Sequence, residues 1–456
     1  MNKRTNRGTL LYYVGLVGAI CCLIGAELIW LPAPLTTKEG VQWIEIINWL
    51  YYGLCLIPLS WAIGAFWLLS KINVPLMLRM IRVAIIALCC IIIGLITFAP
   101  KSMLVLLVFV ATTVVLIFID LLSSEVKERT RFPWRNGSAF ISIAVLLVLL
   151  LYPIGYKVTY PGMTLNLNRY GHVAGGNSVG TINGVLVFDR PAVFADRLFG
   201  RMFPLYQFEP VQADEPSISE TYAQVAAMKT DANRIAAAIA MEKVGLGKGA
   251  VSNGIRIIAI VKDSPADGKL QAGDIIDKLD GKSVKNAGDM IAYMGDSVKS
   301  GQNVAVTARR GNETLTVNVG TKPSEQDANR AVIGLSVQTE VLLDTPREVT
   351  YNDYIAHVGG PSHGAMLTLA FIDQLTIGGV TKGLNVAGTG TIEADGSIGM
   401  VGGIPQKAYA VSRTDADVFF VPKEGASDAI DAAPGLNVVP VDKLDDVLKW
   451  LDEYDK

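Results

Sequence analysis

The chain has 456 residues, enough for several domains, and 51% of them are hydrophobic against 18% charged, too apolar for one ordinary soluble protein. The net charge of −2 averages two unlike halves and says little about partners, while the lack of a basic block or an RNA-binding signature argues against nucleic acid. All five cysteines (Cys21, Cys22, Cys55, Cys89, Cys90) lie in the first 100 residues, which excludes a disulfide framework, a cysteine metal site or a cysteine nucleophile farther on.

Residues 1–156 read as a polytopic α-helical membrane region. Five apolar runs, at about 10–32, 46–69, 80–99, 103–122 and 138–155, approach the roughly 20 residues that cross a bilayer. The first is too long, and too closely followed by others, for a cleaved signal peptide. Basic residues alternate between the connections. Lys3, Arg4 and Arg7, then Lys71, Arg79 and Arg82, then Lys127, Arg129, Arg131 and Arg135 fall on one side, and only Lys38 and Lys101 on the other. The positive-inside rule puts the N-terminus in the cytoplasm and everything after the fifth span outside. Glu27 is the one charge expected inside a run, near its outer end. Five spans without an evident repeat suit an anchor in the lipid bilayer better than a carrier.

Residues 157–243 form an α/β lead-in region. "GNSVGTINGVLVFD" has the punctuation of strands and turns. In "RPAVFADRLFGRMF", Phe194, Leu198 and Met202 share one helical face, with Arg197 and Arg201 opposite. That segment suits either a packed helix or one lying on a membrane. "PSISETYAQVAAMKTDANRIAAAIAMEKVG" reads as a long amphipathic helix closed by Gly245.

In "NGIRIIAIVKDSPADGKLQAGDIIDKLDGKSV" a strand-like run precedes Ser-Pro-Ala, then Gly273-Asp274-Ile-Ile and a downstream Asp-Gly. Residues 244–321 thereby resemble a bacterial PDZ domain, β-rich with helices. Such domains add a peptide as an extra strand at a sheet edge, often capturing its terminal carboxylate. The resemblance puts that groove near Gly254, Ile255, Arg256 and Ile257, after the loop "GLGKGAVSN".

Two stretches beyond residue 330 carry chemistry. In "HVGGPSHGAMLTLAFIDQL", Pro361 suits the first turn of a helix and Ser362 follows it. The hydroxyl is presented at a helix N-terminus, either as a cap or where N–H groups could hold an oxyanion. "GPSHG" also fits G-x-S-x-G, but that elbow needs an Asp or Glu and then a histidine downstream of the serine, and the last histidine here is His363, the residue directly after it. His357 and His172 have no supporting motif, and no histidine pair has zinc spacing, so no metal or other cofactor is expected. In "GGIPQKAYAVSR", Lys407 falls on the same helical stripe as Ile404, Ala408 and Val411. A free lysine titrates near ~10.4. Burial can lower that by roughly 3–5, which makes the amine a usable base for a serine. The alternative is a lysine that snorkels to water.

Together "GGPSHG", "TGTIEADGSIGMVGGIPQK" and "ADVFFVPKE" resemble the α+β proteolytic domain of Lon proteases over residues 330–456. The resemblance implies that Ser362 is the nucleophile, Lys407 its base and Thr389 the lysine's support. It departs from Lon at Gly359, where an Asp is usual, and at His363, where Ala is common. G-x-x-x-x-G-K-[ST] is absent, so no ATP is expected as a partner. The whole resembles bacterial membrane-anchored, PDZ-containing Lon-type proteases. That implies an ATP-independent endopeptidase acting on flexible peptides or protein tails outside the cytoplasm, with homo-oligomerisation open. The alternative is a catalytically inactive PDZ scaffold that binds a partner at the membrane.

Overall fold

A computed structural model describes residues 3–36, 40–70, 74–100, 102–129, 133–211, 218–324, 331–355 and 359–454. Lys38, Lys71, Lys101, Arg131 and His357 lie outside them. Four N-terminal helical stretches, Arg7–Glu27, Trp43–Leu69, Leu76–Phe98 and Met103–Lys127, are long and apolar enough to cross a membrane. The fifth expected run is shorter. Its helix, Trp134–Leu151, stops ahead of Pro153, and a strand begins there at once. The first helix ends at Glu27, before Pro32 and Pro34.

The expectation that Glu27 is the only charge inside a run needs correcting. Arg82, in the helix Leu76–Phe98, pairs with Asp120, in the helix Met103–Arg129, at 2.9 Å, and both side chains are buried. Tyr12 and Ser124 join them at 3.2 and 3.0 Å, and Arg82 also reaches the Leu68 carbonyl at 2.8 Å. A charge at this depth persists because it is paired and hydrogen-bonded. Glu27 instead pairs with Arg190 of the soluble part.

The soluble part consists of two interleaved bodies. One has a six-stranded sheet in the order Val438–Val441, Val418–Pro422, Asn385–Gly388, Thr181–Val193, Pro153–Asn166, Gln207–Pro210. The first four strands are mutually parallel, and the last two pairings are antiparallel. The boundaries at 157–243 and 330–456 are therefore redrawn, because Thr181–Val193 pairs directly with Asn385–Gly388. The lead-in residues supply half of this sheet.

Alternation along Val418–Pro422 separates two cores. Val418 and Phe420 pack with the helices Gly364–Leu375 and Ile218–Lys243. Phe419 and Val421 pack with the helix Ile404–Ser412. Each fully buried phenylalanine stabilises the fold by about 1.5–3 kcal/mol.

The second body is inserted between Ile218–Lys243 and Val349–Tyr351, the latter returning to pair with Gly171–Val173. Its sheet runs Leu335–Asp344, Gly249–Ile260, Ile275–Leu279, Asn303–Arg310, Glu313–Gly320. Ala331 and Ile333 belong to its core, so this body extends past residue 321 to about residue 344. Residues 28–36 and 40–42 also dock on the first body. Trp30 is buried among Tyr160, Phe203 and Tyr409, and the Gln42 side chain bonds Asn183 and the Asn166 amide at 2.7 and 2.6 Å.

Candidate active site

The segment after Gly360 makes a short 3-10 turn, Pro361–His363, that runs into the helix Gly364–Leu375. Proline at the first position fixes φ and lacks the N–H that a helix start leaves orphaned. Ser362 is half-buried on this turn. The segment after the strand Asn385–Gly388 clasps it: Gly390 N–H and Thr389 Oγ1 both donate to the Ser362 carbonyl, at 2.9 and 3.1 Å, and Ala365 N–H donates to Gly390 O at 3.1 Å. Glycine is required at 390. Its φ is 151°, and a Cβ there would lie 2.4 Å from Ile398.

Lys407 comes from the opposite core. Its helix, Ile404–Ser412, starts behind Gly403 in the left-handed conformation (φ 68°), and Ile404, Lys407, Ala408 and Val411 are all buried. Lys407 is 1% exposed. Nζ donates to Thr389 Oγ1 at 3.0 Å, and that hydroxyl in turn donates to Ser362 O. Burial alone pushes the amine down to about 7. Among the described residues no carboxylate forms an ion pair with it to restore the ammonium. At neutral pH roughly half the molecules therefore carry a free amine at the C-terminal end of a central parallel strand, the usual place for a site in such sheets. Thr389 links the lysine to the residue that bears the hydroxyl, but no direct hydrogen bond joins Ser362 Oγ to Nζ.

His363 turns away from this cluster. It is buried, its Nε2 sits 2.9 Å from Asn233 Oδ1 on the helix Ile218–Lys243, and its ring meets Tyr170 edge-on at 5.7 Å. Burial, and then the charge of Lys229, push it down to about 3, so it is neutral at physiological pH. His172 is exposed on the strand Gly171–Val173. Asn233 and Tyr170 were not singled out in the sequence. The signal was available for Asn233, a polar residue on the stripe of Ala236, Ala237 and Ala240, by the same reasoning that marked Lys407. Among the described residues no three His, Cys, Asp or Glu converge as a metal cage.

The expected groove at Gly254, Ile255, Arg256 and Ile257 is corrected. Their strand is internal: Ile255, Arg256 and Ile257 pair with Thr339, Gln338 and Val337 on one side, and Ile255 and Arg256 pair with Ile276 and Ile275 on the other. A strand paired on both edges has no backbone groups left for a peptide. Leu335–Asp344 is one edge of the sheet and Glu313–Gly320 the other. Between Leu335–Asp344 and the helix Ala287–Ser297 lies a cavity of about 570 Å³, lined among others by Met290, Ile291, Met294, Ile333, Leu335 and Val337. An edge strand beside an apolar helix is the geometry that strand addition requires.

Residues 238–321 match the PDZ domain family, and residues 354–452 match the Lon protease (S16) C-terminal proteolytic domain. Similar curated proteins are the Lon protease of Aster yellows witches'-broom phytoplasma, 32% identical over 107 residues, and that of Chloroflexus aggregans, 36% identical over 93. These cover 21% and 20% of this chain but only 13% and 11% of the relatives, so the match spans about an eighth of those relatives' length. Among solved structures, the PDZ domains of SdrC-like proteins from Listeria monocytogenes and Listeria innocua are 24% and 28% identical. Each covers 19% of this chain and 87% or 93% of its own, with TM-scores of 0.17 and 0.18.

Proposed function

From a chain that joins a PDZ domain and a Lon-type proteolytic domain to an apolar helical region, we propose a membrane-anchored serine endopeptidase working through Ser362 and Lys407. The observation that carries this reading is the buried amine, without a carboxylate ion pair among the described residues, lowered to about 7 and tied through Thr389 to the serine's own residue. Neutral Nζ takes the Oγ proton as Oγ attacks the peptide carbonyl. The oxyanion is held by backbone N–H groups at the start of the serine helix. The ammonium then protonates the leaving nitrogen as the C–N bond breaks. Water, activated by the same amine, releases the acyl group and restores Ser362. Thr389 keeps Nζ aimed throughout.

The groove along Leu335–Asp344 recruits extended peptides, and flexible segments are the substrates, because strand addition takes an extended chain. The active site faces away from the cytoplasm. Support comes from the basic residues, Arg82 aside, that alternate between connections, and from residues 28–36 and 40–42 packing on the body that follows the last apolar helix. Comparison of peptides shed by membranes carrying the wild type or Ser362→Ala tests the proposal: the variant should shed none of the specific fragments, and an unchanged pattern refutes it.

One observation favours a second reading, a PDZ scaffold without activity: Ser362 Oγ is not bonded to Lys407. Hydrogen bonds at catalytic groups often tighten only with substrate. An active-serine phosphonate decides between the two, since a scaffold leaves Ser362 unlabelled.

A further inference from the structure

The helix Phe194–Met202 leaves an apolar ridge outside, which is unusual for a helix in water. Its acid points into the protein, while Arg197 and Arg201 stay exposed along the edge of the ridge. Asp196 is fully buried, accepts from Arg190 at 2.8 and 3.0 Å, and accepts the Val193 N–H at 2.7 Å. The Arg197 guanidinium folds back over the rings of Tyr156 and Phe208, 4.7 and 4.8 Å from their centroids. The apolar residues left outside are Phe194, Leu198 and Met202, one ridge at helical spacing, exposed by 42%, 52% and 70%. The helix packs on the protein through Ala195 and Asp196 and leaves that ridge uncovered.

The place of this ridge says what covers it. Phe194 N–H donates to the carbonyl of Tyr152 at 2.9 Å, and Tyr152 is the residue directly after the last apolar helix. Val148, Leu149, Leu151 and Tyr152 are themselves exposed at that helix's end, so the ridge continues the lipid-facing surface of the bundle. Arg201 is exposed in the last turn beside it, where it can meet anionic headgroups, and Tyr152 suits the interfacial belt.

We infer that Phe194–Met202 lies in the plane of the bilayer, its ridge set into the leaflet from which the soluble body emerges. The segment after it touches the lysine helix. Phe203 meets Trp30 at 5.7 Å, Trp30 meets Tyr409 at 6.4 Å, and Gln406 Nε2 donates to Leu205 O at 3.2 Å. Seated this way, the helix holds the site at a fixed, low height over the membrane. The inference rests on the bundle spanning a membrane and is independent of the proteolytic chemistry.

The test places a photoreactive benzoylphenylalanine at Leu198 in the full chain, reconstituted in vesicles of phosphatidylglycerol and phosphatidylcholine. The same probe is placed at the exposed Ile91 of a bundle helix and at the exposed Val251 of the PDZ body. After illumination, mass spectrometry should find lipid adducts at 198 and 91 and none at 251. Lipid at 91 with none at 198, cross-linking of 198 to a second copy of the chain, or equal labelling at 251 and 198 would each overturn the inference. No lipid at 91 would remove its premise, and the inference with it.

Discussion

Replacing Lys407 by Met should abolish cleavage and stabilise the fold, by an amount that depends on pH. The unfolded chain releases this proton near ~10.4 and the folded one near about 7. Between those values the unfolded state binds more protons, so wild-type stability rises with pH across that window and is lower below it. Below about pH 7 both states carry the proton and the penalty is complete, about 5 kcal/mol at the usual conversion. Methionine keeps the length and packing but removes the charge, at the loss of one hydrogen bond to Thr389 that is worth about 1 kcal/mol. The variant should therefore be more stable than wild type by about 3–4 kcal/mol near pH 6, with the gap closing towards pH 10. Urea unfolding of the detergent-solubilised protein, read by pulse proteolysis of the soluble body, measures it. A variant no more stable than wild type at pH 6, or a gap that does not narrow with pH, would refute the buried amine.

Thr389→Val removes the partner of Nζ while keeping the shape, and should slow acylation of Ser362 by about 10–100-fold, the worth of roughly 1–3 kcal/mol. Thr389→Ser should restore most of the rate, and a rapid-quench assay compares the three. Asp373, fully buried at the far end of the serine helix, accepts N–H groups from Asn168, Val179, Gly180 and Val380 at 2.8–3.2 Å. Asp373→Ala strands four donors and should cost about 3 kcal/mol or more, visible in the same urea unfolding.

The site was legible in the sequence where its signal is local. Lys407 betrays itself by sharing a stripe with Ile404, Ala408 and Val411 within a single helix, and the serine turn by its glycines and proline. What escaped depends on partners far along the chain. Gly254–Ile257 looked like a free edge because the strand that covers it, Leu335–Asp344, lies about eighty residues later. The lead-in region looked separate because its strand Thr181–Val193 finds its partner, Asn385–Gly388, some two hundred residues on. Arg82 read as a loop charge until Asp120 stood opposite it on another helix. The outward ridge of Phe194, Leu198 and Met202 has the same periodicity as a buried one, so only its surroundings reveal which way it points.

The most direct measurement is the rate at which a fluorophosphonate labels Ser362 across the pH range. A base lowered to about 7 predicts a rate that is half-maximal near neutrality and flat by about pH 9, with no labelling in Lys407→Met. A rate still climbing towards pH 10 would mean a solvated lysine and contradict the account. Silence at every pH would mean that Ser362 is no nucleophile.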